Sequence, residues 1–224
     1  ATIKKGNKVI FVHLMGTHMS YVDRYPEKFN HFKTIHNTSH LTRAQQKYIN
    51  TYDNAVRYND HLIASLIDSL NAVQGVCSLL YFSDHGDEVF DYRNFHGHSD
   101  VIQSKYMVDI PFLLWTNEQY KLKNAGILKR AENNINSKYN TANFIHTASD
   151  LYDVHCDLTD TTRSLLSQSP IDTSARKNPK PCFTANDIHF ESKILCHRVN
   201  GIERLMEVKD DFAGFEIDLV FDST

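Results

Sequence analysis

Three polar turns along the chain carry the residue types that handle metals and phosphates. The richest is Ser83-Asp84-His85-Gly86-Asp87-Glu88, which follows an apolar run ending at Phe82. A carboxylate beside an imidazole at a strand end can turn both donors toward one ion, because the pleat breaks there. An Asp oxygen with a His nitrogen is a proper pair of zinc ligands. Gly86 is expected to permit the tight turn that leaves both side chains free. The plain alternative is a helix-capping Asp beside an incidental His. The second turn, Asn94-Phe95-His96-Gly97-His98-Ser99, sets two histidines around a glycine, where they could approach a phosphate or a second metal; otherwise it is a surface loop. The third is Met15-Gly16-Thr17-His18, where a lone His is equally a turn residue bonded to backbone. If Asp84, His85, His98 (or His96) and His18 converge, the expected chemistry is a phosphate-handling zinc site. The metal would polarise phosphoryl oxygens and stabilise an alkoxide. His18 and His98 would stabilise charge on the transferred group.

The elements that must position these turns are legible from periodicity. Residues 9–14 read as a buried strand stopped by Gly16, and residues 76–82 and 110–115 as two more. Residues 21–32 are aromatic and contain Pro26, which implies a loop with short turns. From Thr42 to Leu70 the pattern is helical: Thr42 is a capping residue with a Gln nearby, and Tyr48, Tyr52, Ala55, Tyr58, Leu62 and Leu66 recur at helical spacing. That tyrosine stripe reads as core packing. Residues 143–154 form a last helix. This order implies an α/β sheet with covering helices. Ligands gather at the carboxyl ends of strands in such sheets, so the turns at Gly16 and Asp84 are expected at one edge of one sheet. The acidic cluster Asp87, Glu88 and Asp91 could add metal ligands, but a solvated loop is the simpler reading. Residues 159–180 read as an irregular linker and the last residues as strand again.

At 224 residues the chain has room for one sizeable α/β domain and a small appendage. A formal net charge of −3 gives no electrostatic case for a nucleic-acid partner. Thirteen histidines are many for this length and fit metal or phosphate work. No apolar run reaches the roughly 18 residues of a membrane span. The chain opens almost directly on a strand, so we expect it to be cut from a longer protein whose membrane segments it need not show. The four cysteines form no zinc-knuckle spacing; Cys182 and Cys196 could pair in an oxidising compartment, and Cys77 reads as a buried thiol.

The run Asp84-His85-Gly86-Asp87-Glu88-Val89-Phe90-Asp91, with Phe95-His96-Gly97-His98 and then Ile110-Pro111-Phe112, resembles the core of bacterial phosphoethanolamine transferases, in the alkaline phosphatase/sulfatase superfamily. Gly16-Thr17-His18 leading to Arg24-Tyr25-Pro26, and the segment Tyr52 to Asp60, resemble further motifs of that family in the same order. The resemblance implies a partial α/β/α sandwich of the alkaline phosphatase/sulfatase type. By it, Asp84 and His85 would be zinc ligands, and His18 and His98 substrate-phosphate or second-metal residues, with His96 standing in for His98. The family's remaining acidic ligand and its nucleophilic threonine would lie upstream of Ala1; Thr17 sits in the wrong motif to be that threonine. The implied reaction moves phosphoethanolamine from phosphatidylethanolamine to a lipopolysaccharide-core or glycan acceptor through a phospho-threonine, in a domain facing the periplasm and anchored in the bacterial inner membrane by missing N-terminal helices. The fragment alone would be inactive.

The expected organisation is a catalytic part over residues 1–178 and an extension, or the start of a second domain, over 179–224. Leu195-Cys196-His197-Arg198 with Gly214-Phe215-Glu216-Ile217-Asp218 resembles the opening of glycerophosphodiester phosphodiesterase-like barrels, although Val199 replaces the usual glycine. Two other functions compete: a sulfatase- or phosphodiesterase-type hydrolase of the same superfamily, and a catalytically dead sulfatase-like module that binds glycans.

Overall fold

The computed structural model describes residues 6–35, 40–137 and 139–168, and the backbone of 193–194 and 216–220. In chain order the regular elements are β1 (Val9–His13), α1 (Arg43–Ala72), β2 (Ser78–Phe82), β3 (Glu88–Val89), β4 (His96–Gly97), α2 (Lys105–Val108), β5 (Pro111–Thr116), α3 (Glu118–Lys123), α4 (Ala125–Asn133), α5 (Phe144–Tyr152), β6 (Lys193–Ile194) and β7 (Glu216–Val220). They fall into two units, Ala1–Leu66 with Glu203–Thr224, and Ile67–Ile202. The possible Cys182–Cys196 pair and the His197-Arg198 motif lie outside the described residues.

In the first unit β1 pairs antiparallel with β7, from Val9 opposite Val220 to His13 opposite Glu216. β2 belongs to a different sheet. Among the described residues β1 thus finds its partner far along the chain rather than in the next strand.

α1 starts as its sequence demands. Thr42 Oγ1 accepts from the Gln45 N–H at 3.2 Å while Gln45 Oε1 accepts from the Thr42 N–H at 2.7 Å, a reciprocal capping box. The stripe on this helix is core, as its spacing implied: Ala55, Tyr58 and Leu62 are buried. Tyr21, at the start of a short 3-10 turn (Tyr21–Arg24), is 1% exposed and meets Tyr48 and Tyr52 edge-on, with centroids 5.2 and 5.0 Å away. The buried Asn54 side chain accepts from the N–H groups of His31 and Phe32, both at 2.8 Å, and donates to the Phe32 carbonyl at 3.1 Å. It fixes an irregular segment whose backbone groups have no ladder to join.

In the second unit β2 and β5 pair antiparallel, Ser78 opposite Thr116 and Phe82 opposite Phe112, and β6 runs parallel to β5. Phe112 and Leu114 form a core with Tyr120, Ala131, Tyr139, Leu151, Leu165 and Leu166, so α3, α4, α5 and the 165–166 segment all contribute to one apolar cluster. Each large apolar side chain buried there contributes about 1.5–3 kcal/mol. Buried polar side chains tie the elements together. Asn117 caps α3 by accepting from the Tyr120 N–H at 2.9 Å, and also accepts from the Cys77 N–H and donates to the Gly75 carbonyl, tying the end of β5 to the approach of β2. The Tyr120 hydroxyl donates to the Leu151 carbonyl at 2.8 Å; burial first, then nearby Tyr152, pushes its pKa up to about 12, so it stays a donor.

Candidate metal centre

Because β2 and β5 are antiparallel, the carboxyl end of β2 and the amino end of β5 lie at the same end of the sheet. The turn Ser83–Gly86 leaves β2 there and is pinned at once: the Ser83 hydroxyl donates to the His85 carbonyl at 2.7 Å, and the Gly86 N–H donates to the Met107 carbonyl at 2.8 Å. Gly86 is not in the left-handed region, so the turn itself does not require glycine. Its requirement is contact: a Cβ would overlap the Tyr106 carbonyl oxygen and lie 3.0 Å from that of Asp109. This corrects the expectation that a tight turn selected it.

Past Gly86 the chain forms a small hairpin. Glu88 stands opposite Gly97 and Val89 opposite His96. The acidic cluster here is not the solvated loop expected. Glu88 is 0% exposed and takes Arg93 in a fork, Nε to Oε1 and Nη2 to Oε2, both 3.0 Å. Asp91 accepts from the Val89 N–H at 2.7 Å. The Asp87 side chain is only 7% exposed and lies 2.9 Å, Oδ1 to Nδ1, from His98. Glu88 and Asp87, which looked free in sequence, are enclosed because each meets a donor brought back by the hairpin, while Asp91 is exposed.

The hairpin delivers His98 to His85, their ring centroids 3.7 Å apart at 40°. Both rings are held by Nδ1. His85 Nδ1 donates to the Gly86 carbonyl at 3.0 Å, and His98 Nδ1 donates to the Asp87 carboxylate. In that tautomer each Nε2 keeps its lone pair, the form that ligates a metal. Asp84 Oδ1 accepts from the His85 N–H at 3.0 Å and lies 3.9 Å from His85 Nε2. Two ligands each about 2.0–2.2 Å from a common zinc can be that far apart. His85, Asp87 and His98 also place one donor atom each within 4.8 Å of one another. Carboxylate and imidazole are the donors zinc takes, so these residues fit that ion.

Asp84, His85 and His98 line one cleft of about 220 Å³, whose walls include Met107, Phe112 and Tyr139. No Lys or Arg is among its lining residues. His96 is not there; it sits in β4 with its ring 5.3 Å from that of Phe90. His18 belongs to the first unit. It closes a turn through its N–H to the Met15 carbonyl at 3.0 Å, over Gly16 at φ +50°, and its Nδ1 donates to the Met19 carbonyl at 2.6 Å. Sequence reasoning missed the pairing of Asp87 with His98 and the 139–141 wall of the cleft. For the first a signal existed, a carboxylate two residues from His85; for the second there was none.

The fold and this turn define a sulfatase-type domain, and the chain belongs to the sulfatase family, whose model matches residues 2–154. Among relatives, it is 41% identical over 165 residues to phosphoethanolamine transferase EptC of Escherichia coli (strain K12), covering 71% of this chain and 28% of that protein. It is 32% identical over 117 residues to the Kdo(2)-lipid A phosphoethanolamine 7''-transferase of the same strain, covering 51% of this chain and 20% of that protein. The crystal structure of the C-terminal periplasmic domain of Escherichia coli EptC in complex with Zn superposes with a TM-score of 0.62 at 39% identity, over 68% of this chain and 43% of that one. The chain thus spans under a third of the length of these curated relatives.

Proposed function

We propose that this chain is part of a zinc-dependent phosphoethanolamine transferase. The observation that carries the reading is the cleft at the end of β2, where Asp84, His85 and His98 line one wall and both imidazoles are held through Nδ1. Asp84 and His85 hold the zinc in this proposal. His98, oriented by Asp87, and His18 are substrate-phosphate or second-metal residues in this reading, with His96 as the alternative to His98. When bound, the metal supplies Lewis-acid polarisation of a phosphoryl oxygen and a lowered pKa at an attacking hydroxyl. The chain's own contribution is orientation and exclusion. Met107 and Phe112 keep one wall apolar, and Asp87 keeps His98 in a single tautomer. With no Lys or Arg among the described lining residues, the cleft depends on the metal to receive an anionic phosphate.

The similarity to phosphoethanolamine transferases, one of them acting on Kdo(2)-lipid A, and to the periplasmic domain of EptC supports phosphoethanolamine as the transferred group, a lipopolysaccharide-core or glycan acceptor, and a periplasm-facing domain. The donor in this proposal is phosphatidylethanolamine, the intermediate a phospho-threonine on a residue outside these 224, and the whole protein is held at the inner membrane. Residues 1–178 form the catalytic part and 179–224 an extension. The test uses the whole protein that contains this chain. Incubated with phosphatidylethanolamine, it should acquire a phosphoethanolamine adduct on a threonine, seen by peptide mass spectrometry, and the adduct should disappear with Asp84→Asn. Release of free phosphoethanolamine with no adduct would support a phosphodiesterase-type hydrolase instead, and release of sulfate from an added sulfate ester would support a sulfatase. Absence of tight zinc would support a glycan-binding module.

A further inference from the structure

We propose that the pair formed by buried Glu88 and part-buried Arg93 is a positioning device that sets the register of the β3–β4 hairpin so that His98 meets Asp87 and presents Nε2 to the metal. The proposal rests on the zinc reading above. Arg93 ties three points of the hairpin with one guanidinium. It holds Glu88, the neighbour of Asp87, through two bonds of 3.0 Å, and its Nη2 also donates to the Ile102 carbonyl at 2.5 Å, beyond His98. The guanidinium carbon lies 5.0 and 5.1 Å from the ring centroids of Tyr92 and Phe95, which flank it. The stretch that carries His96 and His98 is thus tied at both of its ends, at Glu88 and at Ile102, by this one group.

A buried ion pair adds little net stability compared with an apolar pair of the same volume; its best-attested use is to fix register. Register matters here because the side-chain period of a strand is two. A slip of one residue in a hairpin that pairs Glu88 with Gly97 would turn the 96–98 histidines to the opposite faces. The hairpin has only two paired residues on each side, so its ladder alone is a weak determinant. The fork between Glu88 and Arg93 forms in one alignment only.

The test uses the whole protein that contains this chain and its double variant Glu88→Leu/Arg93→Leu, which removes both charges and leaves neither buried alone. Three quantities are measured: Tm without metal, zinc affinity by competition with a chromogenic chelator, and the long-range ¹H–¹⁵N pattern of the His98 ring without metal. A positioning role predicts a Tm close to that of the parent, zinc binding weaker by about 10- to 100-fold, and loss of the hydrogen-bonded Nδ1 signature of His98. Parent-like zinc affinity together with an intact His98 signature would overturn the proposal. Should the double variant fail to fold, Arg93→Lys keeps the charge but not the fork. It must then weaken zinc binding several-fold, and parent-like affinity overturns the proposal equally. If the parent chain binds no zinc, the metal reading fails while the metal-free His98 signature still decides the role of the pair.

Discussion

His98 Nδ1 lies 2.9 Å from Asp87 Oδ1, on a carboxylate that is almost wholly enclosed, while the His85 ring sits tilted against that of His98 with centroids 3.7 Å apart. Asp84 stands apart from this cluster, with its side chain 88% exposed. Function and stability can therefore be separated at Asp84. Asp84→Asn should leave unfolding free energy within about 0.5 kcal/mol of the parent, as exposed substitutions do. Zinc affinity should fall at least tenfold, by chelator competition. A parent-like zinc affinity would remove Asp84 from the ligand set.

Gly86→Ala should behave in the opposite way. The new methyl group meets backbone, the Tyr106 and Asp109 carbonyls, rather than a side chain that can swing aside. Overpacking of this kind costs about 1–3 kcal/mol, to be read from urea unfolding at constant m value. Since the strain falls at the metal turn, zinc affinity should drop together with stability.

Asn54→Ala should strip the 30–32 segment of its anchor. The N–H groups of His31 and Phe32 lose their acceptor, and each buried group left unpaired costs about 1–3 kcal/mol. The expected readout is a loss of about 2–4 kcal/mol by denaturant melt. It should come with faster amide exchange confined first to residues near 31 and 32.

His146 supplies a pH dependence. Burial, and then the Arg163 charge, hold its pKa below the ordinary value, and its Nδ1 accepts from the Asp160 N–H at 3.1 Å, which requires the neutral ring. A depressed folded-state pKa means the native state binds the proton later than the unfolded chain does. Its contribution is complete above about pH 6.5, the ordinary His value. It is lost as pH falls through the lower folded-state value. Tm measured from pH 8 to pH 5 should decline on the acid side, and His146→Asn, which keeps an acceptor but cannot titrate, should flatten that decline. An unchanged slope in the variant would exclude His146 as its source.

What the sequence disclosed was local. The capping box at Thr42, the tyrosine stripe of α1 and the apolar run ending at Phe82 each depend on neighbours within a few positions, and each is found where spacing put it. Asp84 and His85 were legible for the same reason, since a strand end followed by Asp-His-Gly is a local signal. Glu88 was not. Its burial depends on a hairpin returning Arg93, and nothing short of the folded turn distinguishes that from a charged loop. The partner of β1 was equally hidden, because pairing across two hundred residues leaves no periodic trace. The helices α3 and α4 went unread because each is short and keeps only one residue buried, Tyr120 and Ala131, too few to make a stripe.

The anchoring of Gly86 to Met107 has a consequence for how such a centre diversifies. The residues between these two anchors leave and rejoin the scaffold at points already fastened to each other, so the intervening stretch is a cassette with a fixed socket. Lengthening or exchanging it changes what borders the cleft while the Asp84-His85 dipeptide stays seated. Chimeras that exchange this stretch between relatives while keeping Asp87, Glu88, Arg93 and His98 would test that separation.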